Sequence, residues 1–395
     1  MKIGLIAPKT GRIKAVAEMQ NAHKYCFTLL VLYLVELIEY GGLLVSGASL
    51  MYRVRDRDII QDADGRLFVV LGYIQPASRV LSFLKYVPSS EGRWVRSGQK
   101  YKRIFYGNVK AVVDGLELVP DEYLIEDTHF GTTLLEVPYT RIIQHYRPDE
   151  RLNEIIETGP SDRLEEAARG MALAIHDILD IPTDNLGVAG SIAWRGHSPE
   201  FSDVNMNVYG YTSSWHLQRS FERVCEDESV RLRLLSEWDT GISRVLRRIP
   251  ALTKNDLRRL FARRYAFYYN NQCIGITPVL RPEEAPIRYS SETYTQLLSK
   301  PIKAVFHVKN ADFGIFHPSL LVGMSDSIKE CDDRPVERIM VYDGAFTGLF
   351  SAGDKVEVCG TLQKVKLTAD DEHEFYQLMV GTKNGAGLEY VRLIE

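Results

Sequence analysis

The spacing of apolar residues divides the chain into regions of different character. Between Tyr52 and about Arg147, short runs rich in β-branched and aromatic residues are separated by turn-forming segments, such as Asp-Ala-Asp-Gly at 62–65. Runs of this kind are typical of β-strands, and the turn-formers between them favour antiparallel pairing. The pattern predicts a small β-rich domain over residues 51–150.

The pattern then changes to a helical period. Apolar residues recur at three- and four-residue intervals from Arg163 to Leu179, directly behind the N-cap candidate Asp162. A second helix is predicted after Gly210, running to about Leu235, and a third begins at Thr253. Apolar strand segments alternate with these helices, so we expect a mixed sheet with helices in the middle of the chain.

The character changes again after Pro301. Short strands separated by Gly, Asp and Ser turns are predicted, at spacings typical of a compact barrel of the OB-like kind. The predicted fold class is therefore α+β. The predicted segments are an N-terminal extension at 1–50, the β-rich domain at 51–150, the mixed domain at 151–298 and the OB-like β domain at 299–395.

The segment from Gly187 to Gly210 carries the most specific candidate chemistry. It is predicted to form a buried strand ending in Gly190 and Ser191, then a turn, then a second strand with Asp203 at its start. Gly190 allows the backbone to approach a ligand closely, and Ser191 offers a hydroxyl and an amide to a phosphate oxygen. Residues i and i+2 of a strand share a face, so Asp-x-Asp would hold divalent cations there, but this chain has Asn205 at the second position.

This segment resembles the signature of the DNA-polymerase-beta-like nucleotidyltransferase superfamily, Gly-Ser followed at a distance by Ser-Asp-x-Asp. It looks closest to predicted nucleotidyltransferases found mainly in archaea. The resemblance implies a nucleotidyltransferase-like fold for 151–298 and transfer of a nucleotidyl group from a nucleoside triphosphate to an acceptor, with Mg²⁺ or Mn²⁺. It implies nucleotide binding by Gly190, Ser191, Arg195, Gly196 and Ser202, and a catalytic site of Asp203, as metal ligand, and Asn205, in the place of the second ligand.

The carboxylates around this site depart from the superfamily pattern. The strand expected to supply a third carboxylate, at 273–280, contains no Asp or Glu, while Glu283 and Glu284 follow it in a proline-flanked loop. Two functions therefore stay open. The chain is either a metal-dependent nucleotidyltransferase or a catalytically degenerate relative that binds a nucleotide or RNA as a regulatory or scaffold protein.

The first fifty residues admit several interpretations. The apolar run from Cys26 is interrupted by Glu36 and Glu39, whereas a spanning helix needs about 20 residues with few charges. We expect this segment to form either a helix packed on the body of the protein or a poorly folded extension, without stable membrane insertion. The alternative is a signal sequence or a membrane anchor. Because the resemblance begins near Tyr52, Met51 is an alternative start.

The composition indicates which cellular compartment and which binding partners to expect. The 395 residues have a formal net charge of −4, which gives no global attraction for nucleic acid. The five cysteines are scattered, with neither disulfide nor zinc spacing, and predict a cytoplasmic setting. Two basic stretches, 93–103 and 244–264, either contact a nucleic-acid acceptor such as RNA or are ordinary solvated faces. The expected partners are a nucleoside triphosphate and such an acceptor.

Overall fold

The computed structural model describes residues 54–105, 112, 115–370 and 373–394. The predictions for residues 1–50 lie outside the described residues. The described residues belong to one compact unit, Arg53–Glu395, which contains three β-sheets with helices grouped around the middle one. The predicted α+β class is therefore confirmed, whereas the domain boundaries near 150 and 298 stay predictions.

Sheet one is built from the first eight strands, and every pairing within it is antiparallel. Its longest strand, β3, is buried along most of its length because it packs against other parts of the protein on both faces. The strands of sheet one are β1 Ile59–Asp62, β2 Leu67–Val70, β3 Arg79–Pro88, β4 Trp94–Arg96, β5 Gln99–Arg103, β6 Leu124–Asp127, β7 Thr132–Pro138 and β8 Ile142–Tyr146.

Sheet two has five strands in the order β11-β12-β13-β10-β9, and the pair β10 and β13 is parallel. The strand β9 runs antiparallel to β10, so the end of β9 lies beside the start of β10 at one edge of the sheet. The start of β13 lies at the same edge. These strands are β9 Leu186–Val188, β10 Val204–Tyr209, β11 Val230–Leu232, β12 Phe267–Tyr269 and β13 Gln272–Val279.

The helices cover sheet two and connect its strands. The helix predicted over Arg163–Leu179 is confirmed with those bounds, and the Asp162 carboxylate caps it by accepting from the amides of Leu164 and Glu165. Thr253 and Asp256 form a capping box at the start of the last helix, also as predicted. The helices are α1 Pro148–Thr158, α2 Arg163–Leu179, α3 Gly190–Ala193, α4 Tyr211–Arg219, α5 Asp239–Arg248 and α6 Lys254–Phe261.

The helix predicted to run from Gly210 to about Leu235 is wrong in length. It ends at Arg219, and a 3-10 segment and the strand β11 follow. The Phe221 ring stacks on Phe267 with centroids 4.5 Å apart, and β11 pairs with β12. Tertiary packing and strand pairing thus override the local helical preference of this stretch.

Sheet three contains a closed circuit of strand pairings. The strand β15 pairs with β16, β16 with β18, β18 with β20 in parallel, β20 with β19, and β19 with β15 again. The strands of sheet three are β14 Glu292–Gln296, β15 Ile302–Phe313, β16 Ser319–Ser325, β17 Ser327–Ile328, β18 Arg334–Val341, β19 Lys355–Leu367, β20 Glu374–Val380 and β21 Tyr390–Leu393.

Two contacts fix sheet two against sheet one. The Trp194 ring, which follows α3, is fully buried among residues of sheet one, with ring centroids 5.2 Å from Tyr86 and 4.9 Å from Tyr101. The Arg55 guanidinium forms a bidentate ion pair with Asp149 of α1, with N–O distances of 2.6 and 3.0 Å. A planar fork on a carboxylate fixes orientation as well as distance, so these contacts align the edge of sheet two with β3.

The helices in the described part of the chain include none with the length and apolar character that a bilayer crossing requires.

We expect Trp194→Ala to destabilise the protein strongly. A large aromatic side chain lost from a fully buried position costs about 3–5 kcal/mol of unfolding free energy, because both its transfer from water and its packing are lost. Denaturant unfolding followed by circular dichroism measures this loss. Trp215→Ala, at a half-buried position elsewhere, is the matched control and should cost clearly less; equal losses would contradict the anchoring role.

Candidate functional site

A cavity of about 310 Å³ opens at the shared edge of β9, β10 and β13, facing sheet one. We call it the edge cavity. The sequence places its predicted site residues on two separate segments, and the antiparallel pairing of β9 with β10 brings most of them together here. The predicted residues that line it are Gly190, Ser191, Ser202, Asp203 and Asn205.

The turn after β9 depends on glycine. Gly190 has φ of +65°, a left-handed conformation that a side chain with a Cβ rarely adopts. This sharp turn starts the short helix α3 and leaves Ser191 7% exposed at the cavity wall. The amide of Ala189 donates to the carbonyl of Asn205 over 2.7 Å, which fixes the turn against the start of β10.

The Asn205 amide lies between two glycines. A Cβ built on Gly190 would be 3.5 Å from its Nδ2, and one built on Gly275 of β13 would be 3.6 Å from its Oδ1. Asn205 is also paired in register with Gly275 across the parallel strands. The neighbouring backbones therefore leave space around this side chain, and an isosteric carboxylate would fit the same position.

The candidate metal ligands are few. Among the described residues, Asp203 is the only carboxylate that lines the edge cavity, and β13 contributes Thr277. Glu284, a candidate for the third carboxylate, instead accepts hydrogen bonds from the amides of Tyr211 and Arg281, and neither Glu283 nor Glu284 lines the cavity. Nowhere in the described ranges do three His, Cys, Asp or Glu residues cluster as metal ligands.

Two residues expected at the nucleotide lie elsewhere. Arg195 has φ of +58°, is half exposed and forms an ion pair with Glu154 of α1, so its guanidinium is directed away from the edge cavity. Gly196 packs against the Trp194 ring, where any Cβ would overlap the ring atoms. Its small size thus serves the packing of the turn rather than the approach of a ligand.

Three cations from sheet one and the turn before it also line the cavity, and only Arg103 lies in a basic stretch that the sequence indicated. Arg57, Lys85 and Arg103 line the edge cavity opposite the Gly-Ser turn. Arg57 pairs with the buried Asp56 carboxylate at 3.2 Å, and Arg103 donates through Nε to the carbonyl of Phe105 at 2.6 Å. Arg57 and Lys85 lie about a hundred residues or more before the turn, which explains why no local motif indicates these two.

Lys85 is the least compensated of these cations. Desolvation, together with the nearby Arg103 and Arg57, lowers its pKa to about 7, and Asp203 opposes that shift. No ion pair or hydrogen bond joins its Nζ to another described residue, although it lies 5.8 Å from the Tyr86 ring centroid. A half-buried amine in this state gains free energy from an anion that enters the cavity.

A buried amide side chain also lines this space. Asn207 is 1% exposed and lines the edge cavity, and its Nδ2 donates to the Tyr209 hydroxyl over 3.1 Å, while its Oδ1 has no partner among the described residues. It lies two positions after Asn205, and hence four after Asp203, on the same face of β10. Three polar side chains at alternate positions, Asp203, Asn205 and Asn207, therefore line one volume.

Aromatic side chains form one wall of the edge cavity. Tyr86, Trp94 and Phe201 line it, and Trp94 meets Phe201 edge to face with centroids 5.4 Å apart. Trp94 and Phe201 are half exposed. The Arg93 guanidinium lies 4.3 Å from the Phe201 ring centroid. This part of the basic stretch 93–103 is a hairpin of β4 and β5, which places Trp94 at the cavity wall.

The second basic stretch, 244–264, is partly used in contacts with sheet three and its loops. Arg248 pairs with Asp343, and Arg263 pairs with Asp354, each through two guanidinium nitrogens. Arg264 donates to the carbonyls of Gly344 and Ala345. These three arginines therefore serve packing between α5 or α6 and sheet three.

Comparison with known proteins identifies a relative over most of the chain. An uncharacterized protein of Methanocaldococcus jannaschii is 25% identical over 352 residues, a match that covers 86% of this chain and 99% of the relative. No family model matches the chain. No solved structure matches it significantly.

The Lys85 amine should titrate near neutral pH. Side-chain ¹⁵N NMR of the lysines should show one Nζ with a pKa of about 7 rather than about 10.5, assigned to Lys85 by its loss in Lys85→Met. Because the Asp203 charge raises this pKa, Asp203→Asn should lower it further. The exposed Asp326→Asn is the control and should leave it unchanged; an ordinary lysine pKa, or no response to Asp203→Asn, would refute the described electrostatics.

Proposed function

We propose that the edge cavity binds the polyphosphate chain of a nucleoside triphosphate, and that the protein is a nucleotide-binding relative of the nucleotidyltransferases. The observation that carries the proposal is the position of Lys85 across the cavity from the Gly-Ser turn and Asp203. A half-buried lysine without a partner anion, beside a turn with a free hydroxyl, suits a phosphate group. The resemblance of the segment from Gly187 to Gly210 points to the same ligand.

Charge compensation explains why binding is favoured over two-metal catalysis. A pair of divalent cations is normally bridged by several carboxylates, and the described part of the cavity offers Asp203 alone. Lys85 and Arg103 supply positive charge from the opposite wall, whereas the Arg57 charge is compensated by Asp56. A triphosphate is thus neutralised largely by side chains, and the regulatory or scaffold role expected of a degenerate relative follows.

The aromatic wall suits the base of such a nucleotide. Trp94 and Phe201 offer ring faces beside the cations, and every nucleobase stacks on an aromatic side chain. Stacking is tolerant of sequence, so we do not assign a base preference. A nucleotide bound in this way would contact both sheet one and the Gly-Ser turn of sheet two.

The finer fold assignments belong to the same proposal. We assign a nucleotidyltransferase-like fold to the region 151–298 because its Gly-Ser turn, Asp203 strand and parallel neighbour β13 follow the order of that signature. We assign an OB-like barrel to the closed five-strand circuit of sheet three, a form that binds single strands or sugars. RNA or another nucleic acid is the proposed macromolecular partner, and the scattered cysteines favour the cytoplasm.

Nucleotidyl transfer is the second candidate, and Asn207 favours it. Asn207 lines the cavity together with Asp203 and Asn205 and has an unpartnered Oδ1, and these side-chain oxygens would hold one Mg²⁺ or Mn²⁺ ion when substrate phosphates complete the shell. The set does not fit two ions bridged by carboxylates. A bound ion would neutralise charge on the phosphates, while Ser191 and Lys85 would orient them.

Triphosphate binding should depend on Lys85 and persist without divalent ions. Calorimetry with ATP, GTP, CTP and UTP in EDTA should detect binding of at least one, weakened about tenfold to a hundredfold by Lys85→Met because a charged contact is lost. Above about pH 7 the amine of the free protein is neutral and must take up a proton when the anion binds. The difference in affinity between the wild-type protein and Lys85→Met should therefore shrink as the pH rises from about 6 to about 8.5.

Lys303→Met, at an exposed position of β15, is the matched control and should bind normally. Binding that needs magnesium and tolerates Lys85→Met would favour the transferase candidate instead. Absence of binding with all four triphosphates, in the presence and absence of magnesium, would contradict both candidates.

Asn205→Asp should create a stronger cation site. The space beside Gly190 and Gly275 admits a carboxylate, and the added charge should raise the affinity for Mn²⁺ by at least about tenfold, measured by paramagnetic relaxation of water protons. Asn255→Asp adds the same charge at an exposed position of α6 and should have little effect. Equal responses from the two variants would show that Asn205 does not occupy a ligand position.

A further inference from the structure

A second cavity, of about 390 Å³, lies between sheet one and sheet three. We call it the apolar cavity. Its walls come from β3 and β7 on one side and from β19 and β20 on the other, and its volume lies within the range of small-molecule sites. The apolar residues that line it include Leu81, Phe83, Phe130, Leu134 and Met379.

Three side chains in this apolar setting present buried polar atoms without partners in the described structure. They are both ring nitrogens of His317, the hydroxyl of Tyr342 and the hydroxyl of Ser82. His317 is 4% exposed and Ser82 is 2% exposed. Most buried polar atoms in proteins have a hydrogen-bond partner, so a convergent group of unpartnered ones indicates a molecule that supplies the missing bonds.

Neighbouring polar residues behave differently. The Thr361 hydroxyl donates to Glu389 over 2.7 Å, and Gln363 accepts from Gln377 over 2.8 Å, although both also line the apolar cavity. The Thr361 hydroxyl and the Gln363 side-chain oxygen therefore have hydrogen-bond partners within the protein. Among the described lining residues, Arg57 Nε also lacks a hydrogen bond, but it is ion-paired with Asp56 at 3.2 Å. The remaining unpartnered atoms belong to His317, Tyr342 and Ser82, and the His317 and Tyr342 rings lie with centroids 5.4 Å apart, which defines one polar spot within the apolar walls.

The charge state of this spot restricts the occupant. Burial lowers the pKa of His317 to about 4, so near pH 7 the ring is neutral, with one nitrogen donating and the other accepting. Of the charged side chains at the cavity margin, Arg57 is paired with Asp56 and Asp343 with Arg248, while Lys383 is exposed to solvent, away from the buried polar group. An uncharged molecule with both a donor and an acceptor matches this environment, and an ion does not.

We propose that the apolar cavity binds an uncharged aromatic heterocycle, the size of a nucleobase or nucleoside, through the His317, Tyr342 and Ser82 group. The flat ring would contact the walls at Phe83 and Phe130, and its polar edge would supply the missing hydrogen bonds. Arg57 lines both the apolar cavity and the edge cavity, so the two adjoin. The proposal does not rest on triphosphate binding, because its ligand carries no phosphate.

Saturation-transfer NMR with the full chain and a panel of adenosine, guanosine, cytidine, uridine, adenine and uracil tests this proposal. At least one compound should bind with a Kd below about 1 mM. Tyr342→Phe, which removes only the unpartnered hydroxyl, should weaken that binding about tenfold while leaving the melting temperature unchanged or raised. Ser82→Ala is the second variant and should weaken binding in the same direction.

Tyr376→Phe is the matched control, since the Tyr376 hydroxyl donates to Asp332 over 2.9 Å outside the cavity. It should lower the melting temperature and leave binding unchanged. Lys85→Met should also leave nucleoside binding unchanged, which separates this site from the edge cavity. No binding by the whole panel, binding that tolerates Tyr342→Phe, or binding abolished by Lys85→Met would each overturn the proposal.

Discussion

The position of one indole ring determines the geometry of the candidate site. Trp194 follows the Gly-Ser turn directly and is fully buried among the tyrosines of sheet one. Burial of so large a ring is strongly favourable and directional, so the turn cannot shift without opening the packing around it. Gly196 is part of the same constraint, because its missing side chain makes room for the ring. Lys85 and the turn face each other as a result.

The electrostatics of the edge cavity follow from this alignment. Sheet one brings Lys85 and Arg103 to a volume that Asp203 and the amide side chains of Asn205 and Asn207 line from the other side. Burial and the neighbouring arginines lower the pKa of Lys85, which means that they destabilise its charged form. A bound anion would stabilise that charged form. The same residues that make a bound phosphate favourable make a carboxylate-bridged pair of metal ions unfavourable. Binding without turnover is therefore the simpler account.

Local signals predicted the parts of the fold that depend on local interactions. The helix Arg163–Leu179 was predictable to the residue because its cap at Asp162 and its apolar period lie within one segment. The helix after Gly210 was predicted too long because the stacking of Phe221 on Phe267, and the pairing of β11, involve residues far apart in the chain.

The residues of the candidate site also divide into those that a local sequence signal predicts and those that tertiary packing alone brings to the cavity. The proximity of Ser191 and Asp203 follows from two strands joined by a short connection, and the sequence pattern contains both. Lys85 reaches the cavity only through packing between two sheets, which no spacing rule describes. Arg195 was predicted at the ligand because of its place in the motif, yet its left-handed backbone and the Glu154 carboxylate direct it elsewhere.

The most direct test of the central claim is a crystal structure of the full chain grown with a non-hydrolysable nucleoside triphosphate and EDTA. We predict phosphate density between the Ser191 hydroxyl and Lys85 Nζ, within hydrogen-bonding distance of both. Density for the triphosphate on another surface of the protein, with the edge cavity filled by water alone, would contradict the account.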